Sequence, residues 1–183
     1  MPETVAYHVD RTGQLQSGYT IKLQDPPPMP AGGVDLSVEF PGGLSSHGQQ
    51  YVASAAFDGN VASEWFFELV RRAEFSERTS RFQAVFALPT LADARAFRHS
   101  IVGNLTTPIV RVRGQAAHRA NMQLIRWTAP AITTLARAQE YWRGDPGLAI
   151  PPVWELLLVP PVVVLERVPE NEPAERLDMA LTP

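Results

Sequence analysis

Two residues near opposite ends of the chain have the type and setting to do chemistry. His8 lies in the apolar stretch Ala6-Tyr7-His8-Val9-Asp10-Arg11, ahead of Leu15 and Gly18-Tyr19-Thr20-Ile21. Glu155 is a lone carboxylate in Trp154-Glu155-Leu156-Leu157-Leu158-Val159-Pro160. A carboxylate can stabilise positive charge or take a proton. Buried without a partner, it costs several kcal/mol. The plainer reading makes Glu155 an edge-strand residue that reaches solvent and His8 a half-buried imidazole bonded to backbone. Glu166, beside Arg167 and the acidic C-terminal segment, marks a strand leaving the core.

Arg81 opens an apolar stretch after a polar loop, and Arg11 follows Asp10. A guanidinium presents paired donors that fit a phosphate or carboxylate. The plainer reading pairs Arg81 with Glu77 at the surface. His47, His99 and His118 lack metal-ligand spacing, and the chain has no Cys, so no metal site and no disulfide is expected. Gly32-Gly33 and Gly42-Gly43 follow Pro-rich coil rather than a strand that leads into a helix, so they are not dinucleotide loops. No Gly-x-Ser-x-Gly elbow occurs.

The 183 residues, 45% apolar, suit one domain (1–168) and an acidic, frayed tail (169–183). No long apolar run or basic leader is present, which favours a cytoplasmic protein or one delivered to another cell's cytoplasm. The net charge of −3 hides an asymmetry. From Leu69 to Arg143 there are twelve Arg and four acids, +8, whereas the remainder has four basic and fifteen acidic residues, −11. Solvated helix arginines explain this plainly, and a basic face for pyrophosphate or a polyanion is the functional alternative.

The elements that must position these residues are legible from periodicity. Val5–Val9 and Tyr19–Leu23 read as strands. Residues 25–48 read as a long Pro/Gly-rich loop beside the site, with an extended piece over 34–40. Trp65, Leu69 and Ala73 recur at helical spacing within Asn60–Ala73. Ser80–Ala87 reads as a strand. Thr90 and Asp93 form a capping box for a helix over 91–102. Ile109–Arg113 and Met122–Trp127 read as strands, 131–142 as a helix stopped by Gly144, and 162–168 as the last strand. The fold class is α+β: a bent, split, mixed or antiparallel sheet with about three helices.

The order of these parts resembles the ADP-ribosyltransferase superfamily, in its bacterial branch near the rifamycin-modifying transferases and poly-ADP-ribose polymerases. Tyr7-His8-Val9-Asp10 is similar to its Tyr-His-Gly-Thr motif, Val85-Phe86-Ala87 to its central strand, and Glu155-Leu156-Leu157 to its late Glu. The resemblance spans about residues 4–168. It implies that NAD is the substrate and that no metal is needed. His8 would bind a ribose hydroxyl and the Val9 backbone the nicotinamide amide. Phe86 and Phe97 would border the nicotinamide, Arg11 or Arg81 would hold the pyrophosphate, and Glu155 would be the catalytic carboxylate. Cleavage of the nicotinamide–ribose bond passes through an oxocarbenium-like centre that a carboxylate stabilises. Val9 replaces the family's Gly, Val85 its Tyr, and Val153 an acid that orients an arginine acceptor.

This reading expects an ADP-ribosyltransferase or NAD glycohydrolase, with a toxin or defence effector as one setting. The acceptor, whether protein, nucleic acid or small molecule, is open. In the toxin setting an antitoxin or immunity protein is a partner. The alternatives are a transferase that binds a 2'-phosphate or ADP-ribose without using NAD, and a non-catalytic interaction module. The enzymatic reading, in which His8 and Glu155 form the site together, requires that both line one cleft and fails in that form if their side chains point to opposite faces of the sheet.

Overall fold

The computed structural model describes residues 3–28, 33–54, 58–128, 130–147 and 151–173. Among the described residues five antiparallel strands are joined and covered by five α-helices. Strands β1 (Glu3–Val9), β4 (Ile109–Asn121), β5 (Trp154–Arg167) and β2 (Thr20–Ile21) lie in that order, and β3 (Val85–Ala87) also pairs with β5. A Tyr7–Leu88 bridge brings β3 back to β1, so the sheet curls until its edges touch.

Alternation along the strands makes two cores, because directly opposed antiparallel residues share a face. Ala6, Val85, Ala87, Val110, Val112, Leu158, Val162 and Val164 pack on the inner, concave side. On the other side Leu157 and Ala120 pack with Phe67 and Val70 of α3 (Gly59–Glu74) and with Ala138, Tyr141 and Trp142 of α5 (Ala131–Arg143). Asp58 caps α3 by accepting from the Asn60 and Val61 amides, and α5 ends where Gly144 turns left-handed at φ 84°.

Several expectations need correction. Ser80–Ala87 is not one strand: Ser80 caps a 3-10 turn over Arg81–Gln83, and only Val85–Ala87 pairs. The turn wins because its Ser80 hydroxyl satisfies the Phe82 amide. Ile109–Arg113 extends to Asn121, and Met122–Leu124 is a 3-10 turn rather than a strand. The Glu155 and 162–168 segments form one strand, through a cis Pro160–Pro161 bond.

Within 25–48, Asp35 caps a short α1 (Leu36–Glu39), and Ser45 starts α2 (Ser46–Val52) where a loop was expected. Residues 29–32 of that loop lie outside the described residues. α2 lies so close to the 3-10 turn that a Cβ on Gly48 would stand 2.1 Å from the Phe82 carbonyl oxygen. The Thr90–Asp93 cap holds α4 (Leu91–Phe97), which continues as a π-turn to Val102. Glu170 and Glu172, expected in a frayed tail, are tied to Arg98 and Arg111. Residues 174–183 of that tail lie outside the described ones.

Candidate functional site

The chain of contacts that defines the candidate site runs through Phe86. Tyr7 and Leu88 exchange both backbone hydrogen bonds, which makes the Phe86 amide and carbonyl also face β1. No second backbone pair forms there. His8 fills the gap instead: its Nδ1 lies 2.7 Å from the Phe86 carbonyl oxygen and donates to it as the neutral tautomer. Burial lowers the His8 pKa, against the opposing pull of that hydrogen bond and of Asp10.

On the β4 side, Asp10 rather than Val9 donates to the Pro108 carbonyl. The Val9 N–H and C=O therefore also point into the split between β1 and β3, where neither has a backbone partner among the described residues. The Val9 side chain packs instead with Tyr7, Leu88 and Leu91. Just beyond, the Asp10 carboxylate accepts from the Thr12 and Leu15 amides and the Thr12 hydroxyl, and this fixes the turn that carries Arg11. These bonds hold Asp10 below the usual carboxylate range, although burial works the other way. Arg11 is exposed, with its guanidinium 5.9 Å from the Phe97 ring.

Behind the Phe86 ring lies a buried charge network. The Arg81 guanidinium sits 4.4 Å from the ring centre. Its Nε and Nη2 donate to the two Glu64 oxygens at 2.8 and 3.0 Å, and its Nη1 donates to Glu155 and to the Tyr141 hydroxyl. Tyr141 in turn donates to Glu155 Oε1 at 2.7 Å. Arg81, Glu64 and Glu155 are 4%, 5% and 3% exposed, so the charges are paired away from water. Burial alone would raise the Glu64 pKa, but Arg81 and His47 hold it well below the usual carboxylate range. Burial would lower the Arg81 pKa, but Glu155 and Glu64 push it well above its ordinary value.

His47, on α2, joins this network to the half-exposed surface. Its ring lies 4.3 Å from Phe86 and 4.5 Å from Tyr51, and its Nε2 stands 3.4 Å from Glu64 Oε2, a charge contact rather than a formed hydrogen bond. Burial and Glu64 raise the Tyr51 phenol, while Arg81 and Arg11 pull it down, so Tyr51 lies within the field of both arginines.

The structure thus gathers His8, Val9 and Phe86 at the split, with Arg81 and Glu155 behind Phe86 and Arg11 and Phe97 at the rim. It does not bring His8 and Glu155 to one face. His8 opposes Val110, which points to the inner core, whereas Glu155 shares the face of Leu157 under α3 and α5. Glu155 is not a solvent-reaching edge residue, because β5 has β4 on one side and β3 and β2 on the other. Arg81 does not pair with Glu77, and four of its five donors are engaged by Glu64, Glu155 and Tyr141. That leaves Arg81 unsuited to the proposed phosphate clamp.

Sequence reasoning passed over Glu64, Tyr51 and Tyr141 as site residues and weighed His47 only as a metal ligand. The Trp65–Leu69–Ala73 stripe is not the core face of α3: Leu69 and Ala73 are exposed, and Glu64 and Glu68 are buried with Phe67 and Val70 because Arg81, Arg71 and Arg72 pair with them.

Among the described residues no group of three or more His, Asp or Glu could hold a metal ion, and no helix is long and apolar enough to cross a membrane. Residues 47–170 match the model of the protein family of unknown function DUF2441, and the chain belongs to that family. No curated protein matches the chain.

Proposed function

We propose that the protein binds NAD with the nicotinamide carboxamide in the split between β1 and β3. The His8–Glu155 cleft that the enzymatic reading asked for is absent, so we further propose that cleavage of the nicotinamide–ribose bond, as an ADP-ribosyltransferase or NAD glycohydrolase, depends on the electrostatic field of Glu155 and its partners rather than on a His8–Glu155 pair. The observation that carries this reading is the Val9 backbone. Its N–H and C=O lie together in the split without backbone partners, and they are the acceptor-and-donor complement of a primary carboxamide. The Val9 side chain is turned into the core, so the residue that stands where the ADP-ribosyltransferase superfamily has Gly does not itself occupy the split.

Supporting features surround the split. Phe86, Tyr51, His47 and Phe97 are half-buried rings beside it, and exposed Arg11 stands where a pyrophosphate could pair. Glu64, Arg81 and Glu155 together carry a formal charge of −1 behind Phe86. A fixed negative charge in a dry site stabilises both the cationic nicotinamide ring and an oxocarbenium-like centre. In this mechanism Glu155 acts through the field of the triad and not by direct contact with the ribose.

A second reading, ligand binding without cleavage, is favoured by Glu155 itself. It is 3% exposed and held by Arg81 and Tyr141, so a ribose would not touch it in this state.

The test is nicotinamide release from NAD by the purified protein and by Glu155→Gln, which keeps the shape and an acceptor for Arg81. Turnover that falls about 10²-fold or more in the variant, with NAD affinity and melting temperature retained, supports cleavage assisted by the triad. Saturable NAD binding without release in either protein selects the second reading. No NAD binding at all rejects both.

A further inference from the structure

Most arginines of the basic middle segment meet acids from elsewhere in the chain. Arg72 reaches Glu39 and Glu68, Arg98 reaches Glu170, and Arg111 reaches Glu166 and Glu172. The local excess of positive charge is therefore largely cancelled on folding. Three arginines with weak carboxylate contacts or none stand together.

Arg78, Arg119 and Arg143 line one open depression of about 360 Å³, with His118 and Leu156. Arg78 Nε is buried and makes no hydrogen bond; its nearest acid, Glu77, is 3.5 Å away and largely exposed. Arg143 has only a 3.4 Å contact with the half-exposed Asp145. Arg119 meets no carboxylate among the described residues, and its guanidinium lies 4.0 Å from the Trp154 ring centre, which fixes its direction.

The carbonyl end of α5 would repel an anion here if it were bare. It is covered instead: the Tyr141 carbonyl accepts from the Gly144 amide at 3.0 Å and from His118 Nε2 at 2.9 Å. His118 is neutral at pH 7, because burial together with Arg78 and Arg81 lowers its pKa to about 4.

We propose that this depression is a phosphate-binding site, formed by Arg78, Arg119 and Arg143, that takes the phosphate of a nucleotide or of a nucleic-acid strand. Three arginines lining one depression, one with a buried donor that makes no hydrogen bond, supply the N–H groups and the charge that a phosphate requires. The site is separate from the split between β1 and β3. It shares none of that split's residues, and Leu156 lines it from the face of β5 opposite to Glu155.

The test uses the full chain labelled with 15N-arginine, titrated with inorganic phosphate, ADP and a short oligothymidylate. The Arg78 Nε–Hε resonance reports the site, and Arg119→Gln and Arg143→Gln test it. The expected result is a saturable shift of that resonance, weakened about tenfold by each substitution. Oligothymidylate binding whose salt slope falls by about one for each arginine removed identifies a strand as the ligand. Tighter binding of ADP than of the oligomer identifies a free nucleotide. An Arg78 resonance that moves with none of the three probes, or equal affinity in the double variant Arg119→Gln/Arg143→Gln, overturns the proposal. Nicotinamide release plays no part in the readout, so failure of the NAD reading leaves this test standing.

Discussion

Arg81 and Arg119 are the same residue type in opposite circumstances. Arg81 is sealed between α3, α5 and β5, with Glu64 and Glu155 on its donors. Arg119 projects from β4 into solvent, backed only by Trp154. Where a guanidinium is surrounded by carboxylates it organises the interior. Where it is left unpaired beside others of its kind, its charge is available to a ligand. Pairing, and not abundance, separates the two roles. The +8 of the middle segment overstated the basic surface because Arg72, Arg81, Arg98 and Arg111 are met by acids distant in sequence.

The largest expected effect follows from removing Arg81. Arg81→Met leaves Glu64 and Glu155 as buried carboxylates without a cation, and such uncompensated charges cost about 3–5 kcal/mol. Urea unfolding is expected to show a loss of that order. Adding Glu64→Gln and Glu155→Gln in the same chain removes the stranded charges and is expected to recover much of it. If Arg81→Met unfolds with the wild-type midpoint, the network is not what organises this face.

The next effect is one of pH. Unfolded His binds a proton near pH 6.5, whereas folded His118 does so only near 4. Between these values the unfolded chain holds more protons, so stability rises with pH through this window and is lost as pH falls. The shift corresponds to about 3 kcal/mol over the whole window, and less in practice because the site is open to water on one side. His8, also lowered, adds to the same trend. Glu64 contributes further down: its folded pKa is depressed, so its stabilisation is complete above its unfolded value and is lost in acid below that. Urea midpoints at pH 7 and pH 5 test this, and His118→Gln, which keeps a donor for the Tyr141 carbonyl, is expected to flatten the difference. Equal slopes in the variant and the parent would remove His118 as the cause.

The same contrast explains what was legible in the sequence. Helical spacing and caps located α3, α4 and α5 to within a few residues, because local hydrogen bonds and an apolar stripe set their ends. His8 and Glu155 were singled out as polar residues in apolar runs, Arg81 as a guanidinium opening an apolar stretch and Phe86 only through the resemblance, and they do lie along one chain of contacts. Their partners were hidden. Glu64 to Arg81 spans seventeen residues and Arg81 to Glu155 seventy-four, distances across which no local pattern operates. The face of Glu155 was also illegible. The run from Glu155 to Leu158 is apolar on both sides because β5 is buried on both, so alternation could not say which core the carboxylate enters. The turn at Arg81–Gln83 was misread as strand for a related reason: buried Phe82 and Ala84 alternate as a strand would, while Ser80 bends the chain.

The smallest expected effect on stability is at Arg119, and it is the most discriminating. Its contact with Trp154 is of a kind worth about 0.5–1 kcal/mol at an exposed site. It has no buried acid to strand, so Arg119→Gln is expected to change the unfolding midpoint by no more than that contact allows. A functional arginine and a structural one are thereby told apart by opposite signatures. Arg119→Gln weakens phosphate binding and leaves folding almost untouched, whereas Arg81→Met strikes folding first. Arg119→Lys sharpens the distinction, because it keeps the charge but loses the planar fork that both Trp154 and a phosphate engage. Binding that survives in Lys and fails in Gln would assign Arg119 a role as a charge alone. Failure in both would assign it the paired-donor geometry. A large loss of stability in either variant, measured by the same urea titration, would place Arg119 with Arg81 as part of the scaffold.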